Sequence, residues 1–291
     1  MKRILITGAN SYVGTSFANY IKKNCPEDYG VDIVDMIGEG WRAKNFSGYD
    51  TVFHVAGIAH ADIGSITKEQ QALYYKINTD LAVETAEKAK AEGVGQFIFM
   101  SSVLVYGNSA PIGETKVITR ETVPAPANFY GDSKLKAEIG LCTLNDNSFR
   151  VVILRPPMIY GRGCRGNYPV LAKLARKLSF FPKNENERSM LYIEHLCEFV
   201  RLMIENGEQG VFWPQNREYT NTSEMVRMIA AVHGEKLLLI RGCGWMLKIL
   251  RHFTGLVDKA FGSLVYEPEI SEYRTDYRKY SLKESIEETE R

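Results

Sequence analysis

The 291-residue sequence predicts an α/β protein: a doubly wound parallel sheet with a smaller C-terminal α/β lobe. Three observations predict it. Short apolar runs alternate with helical stretches through the first half, the pattern of strands buried on both faces and joined by crossover helices. The first run ends in Thr7-Gly8, so a strand passes into a helix through a glycine turn. Past Pro156-Pro157 the rhythm changes to Pro, Gly and basic residues followed by helical stretches, which marks a second region.

In chain order, Ile4-Leu5-Ile6 reads as the first strand and residues 13–22 as a helix. Residues 31–36 and 51–56 are the next two strands. Residues 70–92 carry one helical period closed by Gly93, and 97–100 form a fourth strand. Residues 130–144 are helical and 151–154 a strand. Helices follow at 170–177, 195–206 and 223–233, the last capped by Asn221-Thr222-Ser223-Glu224. Residues 245–264 hold one wide apolar stripe with Lys248, Arg251 and Lys259 largely outside it. That spacing predicts a helix packed on its own domain, with a membrane-surface helix as the alternative. The charged tail, 283–291, reads as a solvated helix.

Bulk properties exclude several classes. The net charge of +1 gives no global field for nucleic acid or an anionic surface, so an anionic ligand must be held by local groups. The five cysteines are scattered without metal-ligand spacing, which argues against a zinc site or disulfide framework and fits a reducing cytoplasm. The first strand begins almost at Met1, and no apolar run reaches the ~18–20 residues of a membrane span. A cytoplasmic protein with neither signal peptide nor membrane span is the expectation.

The turn Thr7-Gly8-Ala9-Asn10-Ser11-Tyr12-Val13-Gly14 suits a pyrophosphate. Gly8 permits the tight turn, Gly14 permits close helix–sheet packing, and free N–H groups open the helix. Ser11 occupies the middle position of the Gly-x-x-Gly-x-x-Gly pattern, so the motif is imperfect. Asp35, at the end of the second strand, is the candidate for the adenosine ribose hydroxyls, with Asp32 as the other register. A carboxylate there repels a 2′-phosphate and favours NAD, whereas Arg42 and Lys44 downstream keep NADP open.

Tyr130-Gly131-Asp132-Ser133-Lys134 puts a phenol and an ammonium on one helix face at a helix start. A phenol with a usual pKa near ~10 becomes a base near neutrality when positive charge favours its anion. The strand 97–100 runs into Ser101-Ser102, which delivers a hydroxyl to the same carboxyl edge of the sheet. Arg162, Arg165 and Arg188 are the diphosphate candidates, and Arg165-Gly166-Asn167 combines a guanidinium with an amide donor. The Pro-studded stretch 108–129 either roofs a sugar pocket or is a surface loop. His54 and His60 read as structural, and no metal site is expected.

These landmarks resemble an extended short-chain dehydrogenase/reductase of the NAD-dependent epimerase/dehydratase family, the group that contains UDP-glucose 4-epimerase. The resemblance rests on Thr7 to Gly14, Val52-Phe53-His54-Val55-Ala56-Gly57, Asn78, Ser101 to Gly107, Tyr130 to Lys134, and Arg155-Pro156-Pro157-Met158-Ile159-Tyr160-Gly161, in the family's order. It continues more weakly through Arg188 to His195 and to Tyr280-Ser281-Leu282. It implies a Rossmann-like NAD(P)-binding domain over residues 1–160. A substrate lobe would cover 161–291, with part of 188–215 returning to the first domain.

By the same resemblance Tyr130 is the acid/base, Lys134 binds the nicotinamide ribose and lowers the phenol pKa, and Ser102 holds the reacting sugar oxygen. Asn10, Ser11, Tyr12, Val13, Val55, Ala56, Gly57, Asn78 and Pro157 line the cofactor beside Gly8, Gly14 and Asp35. Asn45-Phe46 stands where the family often has an Asp facing the adenine. Met158, Arg165, Asn167 and Arg188 face the substrate. Two departures are visible. Only a short stretch joins Met36 to Thr51, which abbreviates the adenine pocket. Val103 and Leu104 replace the Asp-Glu pair of the 4,6-dehydratases, which removes elimination chemistry.

The implied function is an NAD-dependent nucleotide-sugar 4-epimerase, acting on a UDP-hexose or UDP-N-acetylhexosamine in surface polysaccharide synthesis. An NAD(P)H-dependent 4-ketoreductase is the second reading, and a non-catalytic dinucleotide-sensing protein the third. A lipid-linked sugar stays open as substrate, nucleic acid is not expected as a partner, and the family's paired helices point to a homodimer.

Overall fold

The computed structural model describes residues 1–59, 67–242 and 261–291. Its elements begin with β1 (Lys2–Thr7), α1 (Tyr12–Asn24), β2 (Tyr29–Val34), α2 (Gly40–Ala43) and β3 (Thr51–His54). Next come α3 (Lys68–Tyr75), α4 (Leu81–Ala91), β4 (Gln96–Met100), β5 (Thr115–Ile118), α5 (Phe129–Cys142) and β6 (Arg150–Leu154). Then follow β7 (Met158–Tyr160), α6 (Asn167–Ala175), β8 (Phe180–Pro182), β9 (Met190–Tyr192), α7 (Ile193–Glu205) and β10 (Gly210–Phe212). The last are α8 (Thr222–Val232), β11 (Leu238–Ile240), β12 (Ser263–Tyr266) and α9 (Leu282–Glu290).

The chain divides into two compact units. The first comprises Met1–Gly107, Val123–Pro156 and Leu196–Trp213; the second comprises Asn108–Thr122, Pro157–His195 and Pro214–Arg291.

A six-stranded parallel sheet of order β10-β6-β4-β3-β1-β2 forms the first unit, a doubly wound, Rossmann-like arrangement. Its strands are buried on both faces, as their unbroken apolar runs require. On one side Leu5, Val52, Phe97, Phe99, Val151 and Ile153 pack with Ala82, Ala86 and Ala89 of α4 and Ala137 and Leu141 of α5. The opposite face includes Phe17 of α1, set edge-on to Phe53 at 5.3 Å. The Tyr20 hydroxyl donates to Glu198 of α7 at 2.7 Å. β2 and β3 flank β1 on opposite sides, so the strand order reverses direction there. In such sheets the crevice beyond the carboxyl ends at the reversal is the ligand site.

Between Val34 and Thr51 the chain forms only the single turn α2, so β2 is the sheet's outer edge. Residues 70–92 are not one helix: α3 and α4 are joined by a π turn, Lys76–Asp80. Such a turn shifts the side chains that follow it and is common at functional sites.

The second unit contains three parallel strand pairs, β5 with β12, β7 with β9 and β8 with β11, together with α6, α8 and α9. Residues 158–160, expected with the first domain, form β7 and pair with Met190–Tyr192. The stretch 108–129 is not all loop, because Thr115–Ile118 is a strand paired with Ser263–Tyr266. The apolar stripe at 245–264 lies outside the described residues up to Ala260, as do His60 and Cys243. Its end, Ser263 and Leu264, belongs to a strand, where Leu264 pairs with Lys116. Among the described residues no helix is long and apolar enough to cross a membrane, and no cluster of His, Cys, Asp or Glu is suited to a metal.

Candidate active site

At the reversal of strand order, β1 ends in Thr7 and Gly8 turns with φ +93°. A side chain at Gly8 would meet the Ala56 backbone at 3.0 Å, so glycine is what lets the ends of β1 and β3 approach. The Gly8 N–H donates to the Val34 carbonyl at 3.0 Å, which ties β2 to the same corner. Asn10 completes the turn with φ +61°. Ser11 caps α1, its Oγ accepting the Gly14 N–H at 3.1 Å. The residue that interrupts the glycine pattern thus serves as an N-cap. Tyr12, Val13 and Gly14 form the first turn of α1, with Gly14 against Ile6 and Val55.

Asp35 lies just beyond β2, exposed, with Oδ1 accepting the Ile37 N–H at 3.0 Å. Asp32 lies mid-strand opposite Leu5. It accepts from the Tyr49 hydroxyl at 2.7 Å and from Arg3 at 3.2 Å. Those bonds hold its carboxyl below the usual range, the Tyr49 contact contributing most. Arg42 is engaged by Glu84, through Nε and at 2.7 Å through Nη2, and by Glu39. Lys44 lies 5.8 Å from the Tyr49 ring centroid.

Asn45 and Phe46 lie in the short connection between α2 and β3. Asn45 accepts from Ser47 N–H at 2.7 Å. Phe46 is wholly buried in the core beneath α4, and its N–H donates to Glu92.

Around the candidate pair Tyr130 and Lys134, Asn128 caps α5 by accepting the Gly131 N–H at 3.0 Å. Tyr130 lies in the first turn, half-buried. A Cβ on Gly131 would stand 2.3 Å from the Leu104 carbonyl oxygen, so only glycine lets α5 press against the turn Val103–Tyr106. Ser102 caps that turn, its Oγ accepting the Leu104 N–H at 3.2 Å. The Ser102 hydroxyl lies near the Tyr130 phenol and favours its anion. Lys134 donates to the Met100 carbonyl at 2.8 Å and lies 4.6 Å from the Phe99 ring centroid.

Asn78, carried on the π turn, accepts from Ile58 N–H at 2.9 Å and donates to Ser133 Oγ at 3.1 Å. A carbon added to Gly57 would lie 3.0 Å from Asn78 Oδ1 and 3.3 Å from Lys134 Nζ. Gly8, Val55 to Gly57, Asn78, Ser102, Tyr130 and Lys134 are therefore gathered along the carboxyl edge of one sheet.

Electrostatics here differ from the expectation. Burial pushes the Tyr130 phenol up to about 12; the nearby Ser102 hydroxyl opposes the rise and Tyr74 adds to it. Burial pulls Lys134 down to about 8, with Glu138 opposing. Burial, Ser102 and Tyr74 set the phenol here, and Lys134 is turned toward the Met100 carbonyl.

Sequence reasoning missed the support beneath these groups. Glu138, one turn beyond Lys134, accepts from Ser101 Oγ and forms a buried ion pair with Arg155, whose Nε lies 3.1 and 3.2 Å from its two oxygens. Arg155 Nη1 donates to the Tyr106 hydroxyl at 2.6 Å, which also accepts from Trp213 at 2.7 Å. The i+4 spacing of Lys134 and Glu138 was the available signal. His54 is buried, its Nδ1 bonded to Thr7 Oγ1 at 2.9 Å.

In the second unit, Pro157 is buried and Met158 half-buried in β7. Arg165 and Asn167 are exposed beside the start of α6. Arg162 is exposed too. Arg188 is bridged to Thr220 through backbone bonds of 3.0 and 2.8 Å, and burial pulls its guanidinium below the usual value. His195 is structural: its Nδ1 meets Asn216 Oδ1 at 2.9 Å and its Nε2 accepts the Tyr280 N–H at 3.1 Å.

Known proteins share this pattern. The profile of the NAD dependent epimerase/dehydratase family matches residues 4–213. A UDP-glucose 4-epimerase from Vibrio cholerae is 30% identical over 286 residues, covering 90% of this chain and 86% of that protein. An N-acetyl-alpha-D-glucosaminyl-diphospho-ditrans,octacis-undecaprenol 4-epimerase from Escherichia coli O157:H7 is 30% identical over 224 residues, 71% of this chain and 64% of that one. The crystal structure of UDP-glucuronic acid 4-epimerase from Bacillus cereus in complex with NAD superposes with a TM-score of 0.74 at 17% identity, covering 99% and 97% of the two chains.

Proposed function

The chain belongs to the NAD-dependent epimerase/dehydratase family, and on that premise we propose that it is a 4-epimerase of a nucleotide-linked sugar, a UDP-hexose or UDP-N-acetylhexosamine. The observation that carries the reading is the gathering of Ser102, Tyr130 and Lys134 at the carboxyl edge of the sheet, with Tyr130 one turn before Lys134 on α5. Both relatives above are named as 4-epimerases, which supports inversion at C4 over net reduction.

The residues fit a dinucleotide. Gly8 lets the turn after β1 close tightly against Ala56, the start of α1 offers N–H groups to a pyrophosphate, and Asp35 offers a carboxylate to ribose hydroxyls. When bound, NAD supplies reversible hydride storage, so that the sugar passes through a 4-keto form. Tyr130 takes the proton from the sugar 4-hydroxyl and later returns it. Ser102 donates to the same oxygen and holds it against the phenol. Lys134, displaced from the Met100 carbonyl, binds ribose hydroxyls and brings positive charge to the phenol, which lowers its raised pKa. Val103 and Leu104 offer no acid or base for elimination. Arg165, Asn167 and Arg188 are the groups proposed to hold the diphosphate.

NAD is the favoured dinucleotide, because the guanidinium of Arg42 is already engaged by two carboxylates. The test is incubation with UDP-glucose and UDP-N-acetylglucosamine, followed by NMR of the products. Formation of the C4 epimer with catalytic NAD supports the proposal. Stoichiometric consumption of NAD(P)H by a 4-keto sugar nucleotide supports the reductase reading instead. Dinucleotide binding without turnover of any sugar nucleotide supports a sensing role.

A further inference from the structure

The second unit carries a small sheet whose pattern is inverted. β8 and β11 pair in parallel with Leu238 beside Phe180, Leu239 beside Phe181 and Ile240 beside Pro182. One face is inward: Phe181 is buried and lies 5.7 Å from the Phe261 ring centroid. The other face should then be polar, because successive side chains point to opposite sides. Instead it presents Phe180, Leu238 and Ile240, which are 60%, 72% and 42% exposed. A contiguous apolar face of this kind marks an interaction surface.

Its surroundings identify the partner. Lys177 and Lys183 bracket β8, and Lys236 and Arg241 bracket β11. None of the four forms an ion pair among the described residues. Two carboxylates, Glu185 and Glu235, lie within three residues of the strands, so the patch stays positive. Strands this short bring both cationic ends within about 10 Å of the apolar centre. An apolar centre ringed by cations matches the interface of an anionic bilayer, where side chains enter the acyl boundary and Lys and Arg meet phosphates. A second copy is a poor occupant, because a two-fold contact would set the same cations against each other. We propose that the outward face of β8 and β11 docks the protein on an anionic membrane surface.

The full-length protein is sedimented with vesicles of phosphatidylcholine alone or mixed with phosphatidylglycerol, at low and high salt. The expected result is binding to the mixed vesicles alone, weakened by salt. Lys177→Glu/Lys236→Glu and Phe180→Ser/Leu238→Ser should each weaken it by about tenfold or more, with melting temperature and dinucleotide binding as in the wild type. Three outcomes overturn the proposal. Wild-type protein that ignores both vesicle types means that the face is covered in solution. Variants that bind like the wild type place the membrane contact elsewhere. A concentration-dependent dimer abolished by Phe180→Ser/Leu238→Ser assigns the face to a second copy.

Discussion

Replacing Arg155 by Met strands a carboxylate inside the first unit. The Glu138 side chain is 3% exposed and takes hydrogen bonds from Arg155 Nε at 3.1 and 3.2 Å, in addition to Nη2 and Ser101 Oγ. Without the guanidinium it keeps only the Ser101 hydrogen bond and the weaker attraction of Lys134. Breaking a buried pair from one side costs about 3–5 kcal/mol. For a chain of this length the unfolding entropy is roughly 0.6 kcal/mol/K, so the melting temperature falls by about 5–8 °C.

The double variant Glu138→Leu/Arg155→Met removes both charges and leaves the Ser101 hydroxyl without its acceptor, while Tyr106 keeps the Trp213 N–H. Its loss is about 1–3 kcal/mol, well short of the sum of the single losses of about 3–5 kcal/mol each. The coupling energy is therefore about 3 kcal/mol or more. Calorimetry of the wild type, both single variants and the double variant at neutral pH measures it. Strictly additive losses, or an Arg155→Met loss below about 1 kcal/mol, would show that the pair is solvated and that the reasoning is wrong.

Tyr130→Phe should lower turnover by about 10²–10⁴ with little change in stability, and unchanged turnover in a product assay would remove Tyr130 from the chemistry. Asp35→Ala should narrow the preference for NAD over NADP, read from dinucleotide titrations, but not reverse it while Arg42 stays bound to Glu84 and Glu39. Acid should destabilise the fold through its histidines. Burial holds His54 down to about 3, the nearby Lys134 adding to this, and holds His195 down to about 4. The unfolded chain takes up these protons near the ordinary value of about 6.5. As pH falls below 6.5 the unfolded state binds protons that the fold refuses, so stability declines by about 1.4 kcal/mol per pH unit for each histidine. The decline from His195 levels off near pH 4 and that from His54 near pH 3. His54→Phe should flatten part of this slope in denaturant titrations at stepped pH, and an unchanged slope would exclude His54 as a source.

The first unit was legible because strands buried on both faces leave unbroken apolar runs, as in β1, β3 and β4. The glycine turn and the Tyr130–Lys134 spacing were legible because each is a local geometry. What failed to show was non-local. Glu138 reads as an ordinary helical acid until Arg155, 17 residues on, is folded against it. The burial of Phe46 did not show, because position in a short connection says nothing of burial. The π turn at Asn78 shifts the helical phase by only about one residue, a step too small to read from apolar spacing. The strands β5 and β12 are four residues each and pair across more than a hundred residues of chain, Thr115 with Ser263. No local pattern announces such a pairing. In β8 and β11 the alternation misleads, because apolar residues occupy both faces.

The first unit is drawn from three separated stretches of chain, and its sheet is completed by β10, which pairs with β6. During synthesis, therefore, the strands up to Leu154 leave the ribosome while one side of β6 has no neighbour. The 57 residues from Pro157 to Trp213 follow at about 5–20 residues per second, an interval of roughly 3–11 s. For that time the nascent chain offers an open parallel edge and uncovered aromatic surface. Translation speed through this stretch, and the chaperones that meet it, then bear on yield as directly as the stability of the finished fold.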